Sequence, residues 1–382
     1  MRFDTRVVRG GIEPDPTTGA IVPPLYQSAT FVLEEVGRDK GFDYTRSSNP
    51  TRATAENALA SVEGATYCAM FSSGMSAVDA VIRTLPHGAH VVCSDDVYGG
   101  VSRLYNTLLA KHGYTFTYVD TSYPERVAEA IRPDTKMVWI ETPTNPLLKV
   151  SDVKAIADIA HQHGIPLGVD ATFATPALLR PLEWGADIVM HSTTKYISGH
   201  NQLIGGAVLT NDADFHESMR FQQKAIGAVP SPFESWLTLL GLKTLSLRME
   251  RHSSTGLQIA EFLEAHPQVS WVSYPGLESH PRHKVAAEQM SAFGGMISFE
   301  LVGGLEAGKT LMNSLRLCAL AESLGAVETM ITHPATMTHA DVPREDRVAR
   351  GLTDGLVRLS VGIEDPQDII DDLAAALELA GA

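Results

Sequence analysis

The sequence predicts an α/β protein in which a large domain, with a mainly parallel sheet and helices on both faces, precedes a smaller C-terminal α+β domain. Short apolar runs rich in β-forming residues, at 89–93 and 137–140, alternate with helical stretches at 99–112 and 151–163. This alternation is typical of repeated βα units, whose strands run parallel. The first sheet is therefore expected to be mainly parallel.

The chain has 382 residues, which is enough for two domains. Residues 1–45 are rich in Pro, Gly and Asp and contain no long periodic stretch, so they are expected to form an N-terminal arm. We assign the large domain to residues 46–240 and the small C-terminal domain to residues 241–382.

The small domain is expected to mix helices and strands. A single long helix is predicted at 239–264, where the chain leaves the large domain. Strands are predicted at 270–273 and 296–299, and an amphipathic helix at about 366–380.

Composition and charge argue against several classes of protein. Hydrophobic residues make up 44% of the chain and charged residues 20%, as in globular proteins. The formal net charge of -15 argues against a nucleic-acid or anionic-membrane partner, because both attract basic surfaces. Cys68, Cys93 and Cys318 are too far apart for a paired disulfide or zinc pattern, and they fit a reducing cytoplasm. No apolar segment is long enough to span a bilayer, the N-terminus lacks an apolar signal core, and no metal site is expected.

The most informative chemistry surrounds Lys195. It follows Ser192 and Thr194 behind the apolar run 187–190, and an earlier apolar run ends in Asp170. Pyridoxal 5'-phosphate (PLP) needs such groups: an amine for a Schiff base, hydroxyl donors for the phosphate, and a carboxylate that keeps the ring nitrogen protonated. A lone lysine is usually solvated, and a lone aspartate at a strand end is as often an N-cap, but together they favour a PLP site.

Further candidates each have a plainer alternative. Gly74 and Met75 belong to a small-residue turn at a helix start, where free N–H groups can bind an anion, although simple capping is commoner. Tyr98 precedes two glycines, and its side chain can stack on the pyridine ring of PLP or simply pack against the turn. Asn145 lies in a Pro-rich turn and can donate to the ring 3-oxygen. Arg358 interrupts an apolar strand, where it can face solvent or bind a substrate carboxylate with its planar fork.

With these residues identified, the chain resembles the cystathionine γ-synthase/γ-lyase family, the transsulfuration group of PLP-dependent enzymes. The resemblance covers nearly the whole chain and implies a fold-type I PLP-dependent transferase-like architecture. The matching segments are YTRSSNPTR at 44–52, SGMSA at 73–77, YGG at 98–100, ETPTNP at 141–146, HSTTK at 191–195, AESLG at 321–325 and RLSVG at 358–362.

The resemblance implies a role for each site residue. Lys195 is expected to carry PLP and move protons, with Tyr98 and Tyr44 as the other catalytic residues. PLP itself is expected to be bound by Gly74, Met75, Tyr98, Asn145, Asp170, Thr172, Ser192, Thr194 and Lys195. Tyr44 and Arg46, at the edge of the arm, are expected to reach the phosphate in the neighbouring subunit. The expected assembly is a homotetramer of catalytic dimers.

The resemblance also places the substrate. Its α-amino-acid end is expected at Ser323 and Arg358, with Asn145 beside them. Arg103 and Glu322 match positions near the distal end of cystathionine, where they suit a second carboxylate and a second ammonium group.

Three departures from the family pattern lie near the site. Ala171 stands where the family usually has Asn, Ala326 where it has Gly, and Asn201-Gln202 where it commonly has Ser-Asp. The change at Ala171 removes a polar neighbour of Asp170 and can alter its orientation. None of the departures touches Lys195, so PLP binding is expected to persist.

The predicted function is PLP-dependent γ-elimination on L-cystathionine, giving cysteine, 2-oxobutanoate and ammonia. A γ-replacement on an O-acylhomoserine, as in a cystathionine γ-synthase, needs the same residues and stays open. Methionine γ-lyases typically carry a cysteine after the stacking tyrosine and lack the acid before Ser-Leu-Gly. Here Gly100 and Glu322 occupy those positions, so cystathionine is favoured over methionine as the substrate. Ala171 gives some support to a catalytically silent PLP-fold binding protein, but the intact Lys195 opposes it. No G-x-G-x-x-G motif follows an early strand, which disfavours a nicotinamide dehydrogenase.

Overall fold

The computed structural model describes residues 1–338, 340 and 344–381. Within this part of the chain, two β-sheets are each covered by helices. The strands of the large sheet are β1 Tyr67–Phe71, β2 His90–Ser94, β3 Thr115–Val119, β4 Thr135–Glu141, β5 Leu167–Asp170, β6 Ile188–His191 and β7 Gly206–Thr210. The strands of the small sheet are β8 Val269–Ser273, β9 Met296–Leu301, β10 Ala319–Leu320, β11 Met330–Thr332 and β12 Leu356–Ser360.

The helices connect and cover these strands. They are α1 Phe3–Arg9, α2 Pro50–Glu63, α3 Gly74–Ile82, α4 Gly99–Arg103, α5 Pro124–Ala130, α6 Val153–Gln162, α7 Thr175–Leu178, α8 Ala213–Ile226, α9 Pro232–Leu242, α10 Leu245–Ala265, α11 His283–Gln289, α12 Gly304–Ser314, α13 Arg344–Ala349 and α14 Pro366–Ala380. A π-helical turn, Leu104–Leu108, prolongs α4, and 3-10 turns lie at Leu109–His112 and Pro181–Trp184.

The large sheet has the order β1-β7-β6-β5-β4-β2-β3. Strands β3, β2, β4, β5 and β6 run parallel to one another, whereas β7 pairs antiparallel with both β6 and β1. The expectation of a mainly parallel sheet is confirmed. In such a sheet the carboxyl ends of the parallel strands lie along one edge, where ligands usually bind.

Both faces of the large sheet are apolar, because alternate residues of each strand point to opposite sides. In β4, Val138 and Ile140 pack in one cluster with α2 and α6, whereas Met137 and Trp139 pack in a second cluster with α3. A sheet buried on both faces explains the continuous apolar runs in the sequence.

The small sheet has the order β10-β11-β12-β9-β8 and one helix-covered face. Val357 and Leu359 of β12 pack in a cluster that includes residues of α10, α12 and α14. Arg358, between them, points to the opposite side of the sheet. There its neighbour in β9, Ser298, donates from Oγ to the Pro146 carbonyl oxygen at 2.5 Å. The alternation of β12 therefore directs Arg358 toward the loop that follows β4.

The predicted helix at 239–264 is wrong in one respect, because the structure divides it into α9 and α10. The Arg248 guanidinium donates from Nη2 to the Gly241 carbonyl oxygen at 2.7 Å, and the Thr244 hydroxyl donates to the same oxygen at 3.3 Å. These side chains satisfy a carbonyl at the end of α9 and allow the chain to turn. The strands predicted near 89–93, 137–140, 270–273 and 296–299 and the terminal helix are confirmed.

The first 49 residues contain little regular structure. After α1, which the sequence did not indicate, residues 10–49 are described throughout and contain only the isolated β-bridges Thr30–Tyr44 and Glu35–Arg38. The side chains of Val32 and Val36 are 90% and 103% exposed. An irregular segment with exposed apolar side chains is what the predicted arm requires.

Candidate active site

A cavity of about 640 Å³ lies where the carboxyl edge of the large sheet meets the small sheet. Most of the residues predicted for the site line it. From the large sheet and its loops these are Gly74, Met75, Tyr98, Asn145, Asp170, Thr172, Ser192, Thr194 and Lys195, and from the small-sheet side they are Glu322, Ser323 and Arg358. The fold thus gathers side chains that are up to about 280 residues apart in the sequence.

Lys195 lies largely buried in the loop after β6. Its Nζ donates to Ser323 Oγ at 3.0 Å, and this hydrogen bond joins the two sides of the cavity. Burial, and to a smaller extent the positive charge of Arg358, lower the pKa of Lys195 to about 8, while the negative charge of Glu322 opposes the shift. A lysine with such a pKa can act as a nucleophile and a proton carrier near neutral pH.

Asp170 ends β5 and is held by Thr172. The Thr172 backbone N–H and hydroxyl donate to Asp170 Oδ1 at 3.0 and 2.6 Å, and the Ser192 backbone N–H donates to Thr172 Oγ1 at 2.9 Å. Burial raises the pKa of Asp170, and the Thr172 hydrogen bonds oppose this rise. The arrangement links a carboxylate suited to a protonated ring nitrogen with a loop suited to a phosphate.

A candidate phosphate cradle lies at the start of α3. Ser73 caps this helix, so the first-turn N–H groups of Gly74 and Met75 face outward without intrahelical acceptors. A Cβ added at Gly74 would lie 3.1 Å from Ser192 Cβ, so the two halves of the cradle are in contact. The Thr194 hydroxyl accepts from the Gly205 N–H at 3.0 Å, which fixes the second half.

Tyr98 precedes α4 and borders the cavity. Its backbone N–H donates to Glu141 Oε2 at 2.9 Å. A Cβ at Gly100 would lie only 2.5 Å from Tyr98 Cε1, so a glycine is needed for the ring to lie against the backbone here. The local sequence therefore fixes both the backbone and the ring of Tyr98.

Arg358 is fully buried in β12 and bonded to both sides of the cavity. It donates from Nη1 to Asn145 Oδ1 at 2.7 Å and from Nη2 to the Ser323 carbonyl oxygen at 2.9 Å. Its Nε is buried and has no hydrogen-bond partner within the described residues. Burial lowers the pKa of Arg358 to about 10. A buried cation with an unused donor is suited to an anionic group such as a substrate carboxylate.

Three of the predicted site residues lie outside the cavity lining of the single chain. Tyr44 is 44% exposed, and the Arg46 guanidinium lies 5.5 Å from its ring centroid while donating to the Lys224 carbonyl oxygen. Arg103 lies exposed on α4. Their predicted contacts with a neighbouring subunit or with the distal end of a substrate stay predictions.

The departures from the family pattern leave the site intact. Ala171 is fully buried in the apolar cluster of the large sheet, while Thr172 provides the hydrogen bonds that orient Asp170. Ala326 is also buried. Asn201 lines the cavity and donates from Nδ2 to Glu328 Oε2 at 3.1 Å, whereas Gln202 is exposed. The missing amide at 171 is therefore replaced by apolar packing.

Sequence reasoning missed Glu141 as a site residue, although it lies in the quoted ETPTNP segment. Glu141 ends β4 beside Asp170 and lines the same cavity. Sequence reasoning also missed the apolar wall of the cavity formed by Phe173, Leu203 and Ile204. The signal for Glu141 was present, because it follows an apolar run at a strand end as Asp170 does.

Comparison with known proteins identifies the family. A family model described as Cys/Met metabolism PLP-dependent enzyme matches residues 4–378. The chain belongs to this family. It is therefore an enzyme of sulfur amino-acid metabolism whose cofactor is PLP.

Relatives within the Cys/Met metabolism PLP-dependent enzymes have different names at nearly equal similarity. The chain is 47% identical to the cystathionine beta-lyase of Coxiella burnetii, with coverage of 98% of this chain and 97% of that protein. It is 47% identical to the cystathionine gamma-lyase of Bacillus subtilis (99% and 100%) and 48% identical to the cystathionine gamma-synthase of Mycobacterium bovis (98% and 96%). The cystathionine gamma-lyase from Lactobacillus plantarum, solved in complex with L-serine, superimposes with a TM-score of 0.98 at 42% identity, covering 100% of both chains.

The residues present fit the cofactor of this family. The cavity contains a partly buried lysine, a buried carboxylate, a helix N-terminus beside two hydroxyl groups, and a tyrosine at its edge. Among the residues that the structure describes, no cluster of His, Cys, Asp or Glu is arranged to hold a metal ion. The helices it describes include none that is both long and apolar enough to cross a membrane.

Proposed function

We propose that this enzyme catalyses γ-elimination on L-cystathionine, giving cysteine, 2-oxobutanoate and ammonia. One observation carries the proposal: Glu322 lines the same cavity as Arg358 and Lys195 and interacts electrostatically with both. Cystathionine has an amino-acid group at each end. An arginine for one carboxylate and an acid for the distant ammonium group match this substrate better than they match methionine, which has only one such end.

Arg358 binds the α-carboxylate of the substrate. Asn145 already holds one side of its guanidinium, and its buried Nε remains available to an incoming anion. Ser323 lies between Arg358 and Lys195, with its carbonyl oxygen bonded to the first and its hydroxyl to the second. The α-carbon of a substrate bound at Arg358 is thereby kept near the lysine.

Lys195 transfers the protons. When bound, PLP supplies an electron sink for the charge that develops on substrate carbon. The amine of Lys195, whose pKa burial lowers to about 8, removes the α-proton and then assists loss of a β-proton. Tyr98, or Tyr44 of a neighbouring subunit, protonates the departing sulfur. Gly74, Met75, Ser192 and Thr194 would hold the phosphate of PLP, and Asp170, oriented by Thr172, would stabilise the protonated ring nitrogen.

The close alternative is γ-replacement, in which an O-acylhomoserine loses its acyl group and cysteine adds to give cystathionine. The relative named cystathionine gamma-synthase is 48% identical to this chain. The same lysine, carboxylate anchor and cofactor residues serve both reactions, so a kinetic comparison is needed to separate them.

The deciding experiment gives the purified enzyme L-cystathionine alone and, separately, O-acylhomoserine with cysteine. Release of 2-oxobutanoate and cysteine from cystathionine, faster than any synthesis of cystathionine, supports the proposal. Pyruvate with homocysteine would instead show β-elimination, and faster synthesis would assign the enzyme to γ-replacement.

The Glu322→Gln variant tests the observation behind the proposal. It removes a charge-assisted contact to the distal ammonium, so kcat/KM for cystathionine should fall about tenfold, equivalent to ~1.4 kcal/mol. Glu306→Gln, on the exposed face of α12, is the matched control and should leave kcat/KM for cystathionine unchanged. An equal effect of the two substitutions would remove the reason for preferring cystathionine.

The active form is a homotetramer built from catalytic dimers, with residues 1–45 as an arm on the neighbouring subunit. The exposed apolar side chains of the arm and the position of Tyr44 and Arg46 outside their own cavity support this assembly.

The enzyme acts in the cytoplasm, because its three cysteines are free and buried, which suits a reducing compartment. The large domain spans residues 46–240 and the small one residues 241–382.

A further inference from the structure

Two buried carboxyl groups lie side by side at the carboxyl edge of the large sheet. Strands β4 and β5 are parallel, and Glu141 is the register partner of Asp170. Both residues are buried, at 5% and 6% exposure, and both line the cavity. Two charged carboxylates so placed repel each other strongly in a low-dielectric environment, so one of them is expected to keep its proton.

The hydrogen bonds of the two groups are unequal. Asp170 Oδ1 receives two donors from Thr172, at 3.0 and 2.6 Å, and the ring of His191 lies close enough to favour its charge. Glu141 Oε2 receives the Tyr98 backbone N–H at 2.9 Å, and the Asn145 backbone N–H also favours the charged form of Glu141. Donors stabilise the charged form of an acid, and Asp170 has the stronger set because it includes the Thr172 hydroxyl at 2.6 Å.

The charges around Glu141 point the same way. Two acids interact with Glu141: Asp170 of β5 and Asp96 in the loop after β2. Arg358 of the small sheet is the cation that interacts with it, and the buried Tyr105 phenol interacts with both Glu141 and Asp170. Burial raises the pKa of Glu141 well above its usual value, and the charge of Asp170 raises it further.

We propose that Glu141 is a positioning residue that stays protonated, so that the Glu141–Asp170 pair carries a single negative charge, located on Asp170, while the neutral Glu141 carboxyl fixes the backbone of Tyr98. The inference rests on the roles proposed above for Asp170 and Tyr98. The new element is that the charge near the ring nitrogen depends on two residues, Glu141 of β4 and Asp170 of β5, rather than on Asp170 alone.

The protonation of Glu141 can be measured on the apoenzyme by infrared spectroscopy. At neutral pH the difference spectrum of wild type minus Glu141→Gln should contain the carbonyl band of a protonated carboxylic acid. In Asp170→Asn this band should disappear at a lower pH than in wild type, because the charge that opposes ionisation of Glu141 is gone. A carboxylate band in the difference spectrum at neutral pH would overturn the proposal.

The positioning role is tested by PLP binding. Glu141→Gln keeps a neutral group with an acceptor for the Tyr98 N–H, whereas Glu141→Ala is neutral but has no acceptor. The Ala variant should therefore bind PLP about tenfold more weakly than the Gln variant. The visible absorbance of bound PLP should titrate with pH in Glu141→Gln as it does in wild type. A shift as large as that of Asp170→Asn would mean that Glu141 is charged.

These outcomes separate the inference from the assignment of Asp170. If Asp170→Asn bound PLP with unchanged spectrum, the role of Asp170 would be wrong, yet the infrared band of Glu141 would still report its own proton. Thermal unfolding of each apo variant identifies a protein that fails to fold. If Glu141→Gln fails to fold, the difference spectrum of wild type minus Glu141→Ala takes its place.

Discussion

At the scale of single residues, the site depends on burying charged groups next to one another. Lys195 combines a low-dielectric environment with an arginine on one side and an acid at the cavity edge. Burial and Arg358 both favour the neutral amine, whereas Glu322 favours the charged one. The pKa of Lys195 thus depends in part on two residues that are proposed to bind the substrate.

This balance predicts opposite effects of two substitutions. The rate at which the apoenzyme takes up PLP should rise with a midpoint near pH 8, because only the neutral amine attacks the aldehyde and the Lys195 pKa is about 8. Arg358→Gln should move the midpoint to higher pH and Glu322→Gln to lower pH. Stopped-flow absorbance measures the rate, and Arg126→Gln on exposed α5 is the control. Shifts in the same direction for both variants would contradict the proposed balance.

At the scale of elements, the close contact of neighbouring strands fixes where the site side chains lie. Gly168 in β5 is the register partner of Trp139 in β4, and the indole covers the missing side chain. A Cβ at Gly168 would lie 2.6 Å from Trp139 Cε3. Trp139 is fully buried. The spacing between Glu141 and Asp170, each two residues further along its own strand, therefore depends on this glycine.

Gly168→Ala is therefore expected to destabilise the protein. Overpacking at a buried indole should cost about 1–3 kcal/mol and lower the thermal midpoint of the enzyme. Gly308→Ala is the matched control, because its Cβ would meet Val357 Cγ2 at an ordinary 3.5 Å and alanine suits a helix interior better than glycine. Equal midpoints for the two variants would show that the Trp139 contact is not restrictive.

The sequence predicted the strands and most of the cavity, for a physical reason. Apolar runs reveal strands that are buried on both faces, and their carboxyl ends locate polar side chains such as Asp170. The division between α9 and α10 could not be predicted, because Arg248 caps a carbonyl of α9 from the next helix. Glu141 follows an apolar run at a strand end, as Asp170 does, but its pairing with Asp170 depends on strand register, which no local pattern contains.

At the scale of the whole molecule, the site of a single chain lacks some of its predicted residues. Tyr44 and Arg46 lie together in an exposed region, outside the cavity lining. If they serve a neighbouring subunit, a site consists of two chains and activity depends on how chains are combined.

Subunit complementation tests this dependence. Lys195→Ala and Tyr44→Ala should each be nearly inactive alone, whereas hybrids of the two should regain activity. In a hybrid, the Tyr44→Ala chain supplies Lys195 and its Lys195→Ala neighbour supplies Tyr44. Each single variant, treated by the same unfolding and reassembly, is the control. Hybrids that stay inactive would show that Tyr44 acts within its own chain.

The position of the cavity between the sheets has a consequence for how such enzymes diverge. The groups proposed to hold PLP come from the large sheet and its loops, whereas Glu322, Ser323 and Arg358 come from the small-sheet side. Substitutions in the second set alter the side of the cavity that is proposed to meet the substrate, and those at Glu322 and Arg358 also change the pKa of Lys195. Relatives that are 47% or 48% identical to this chain are named for three different activities, and we expect the residues that separate them to lie on the small-sheet side of the cavity.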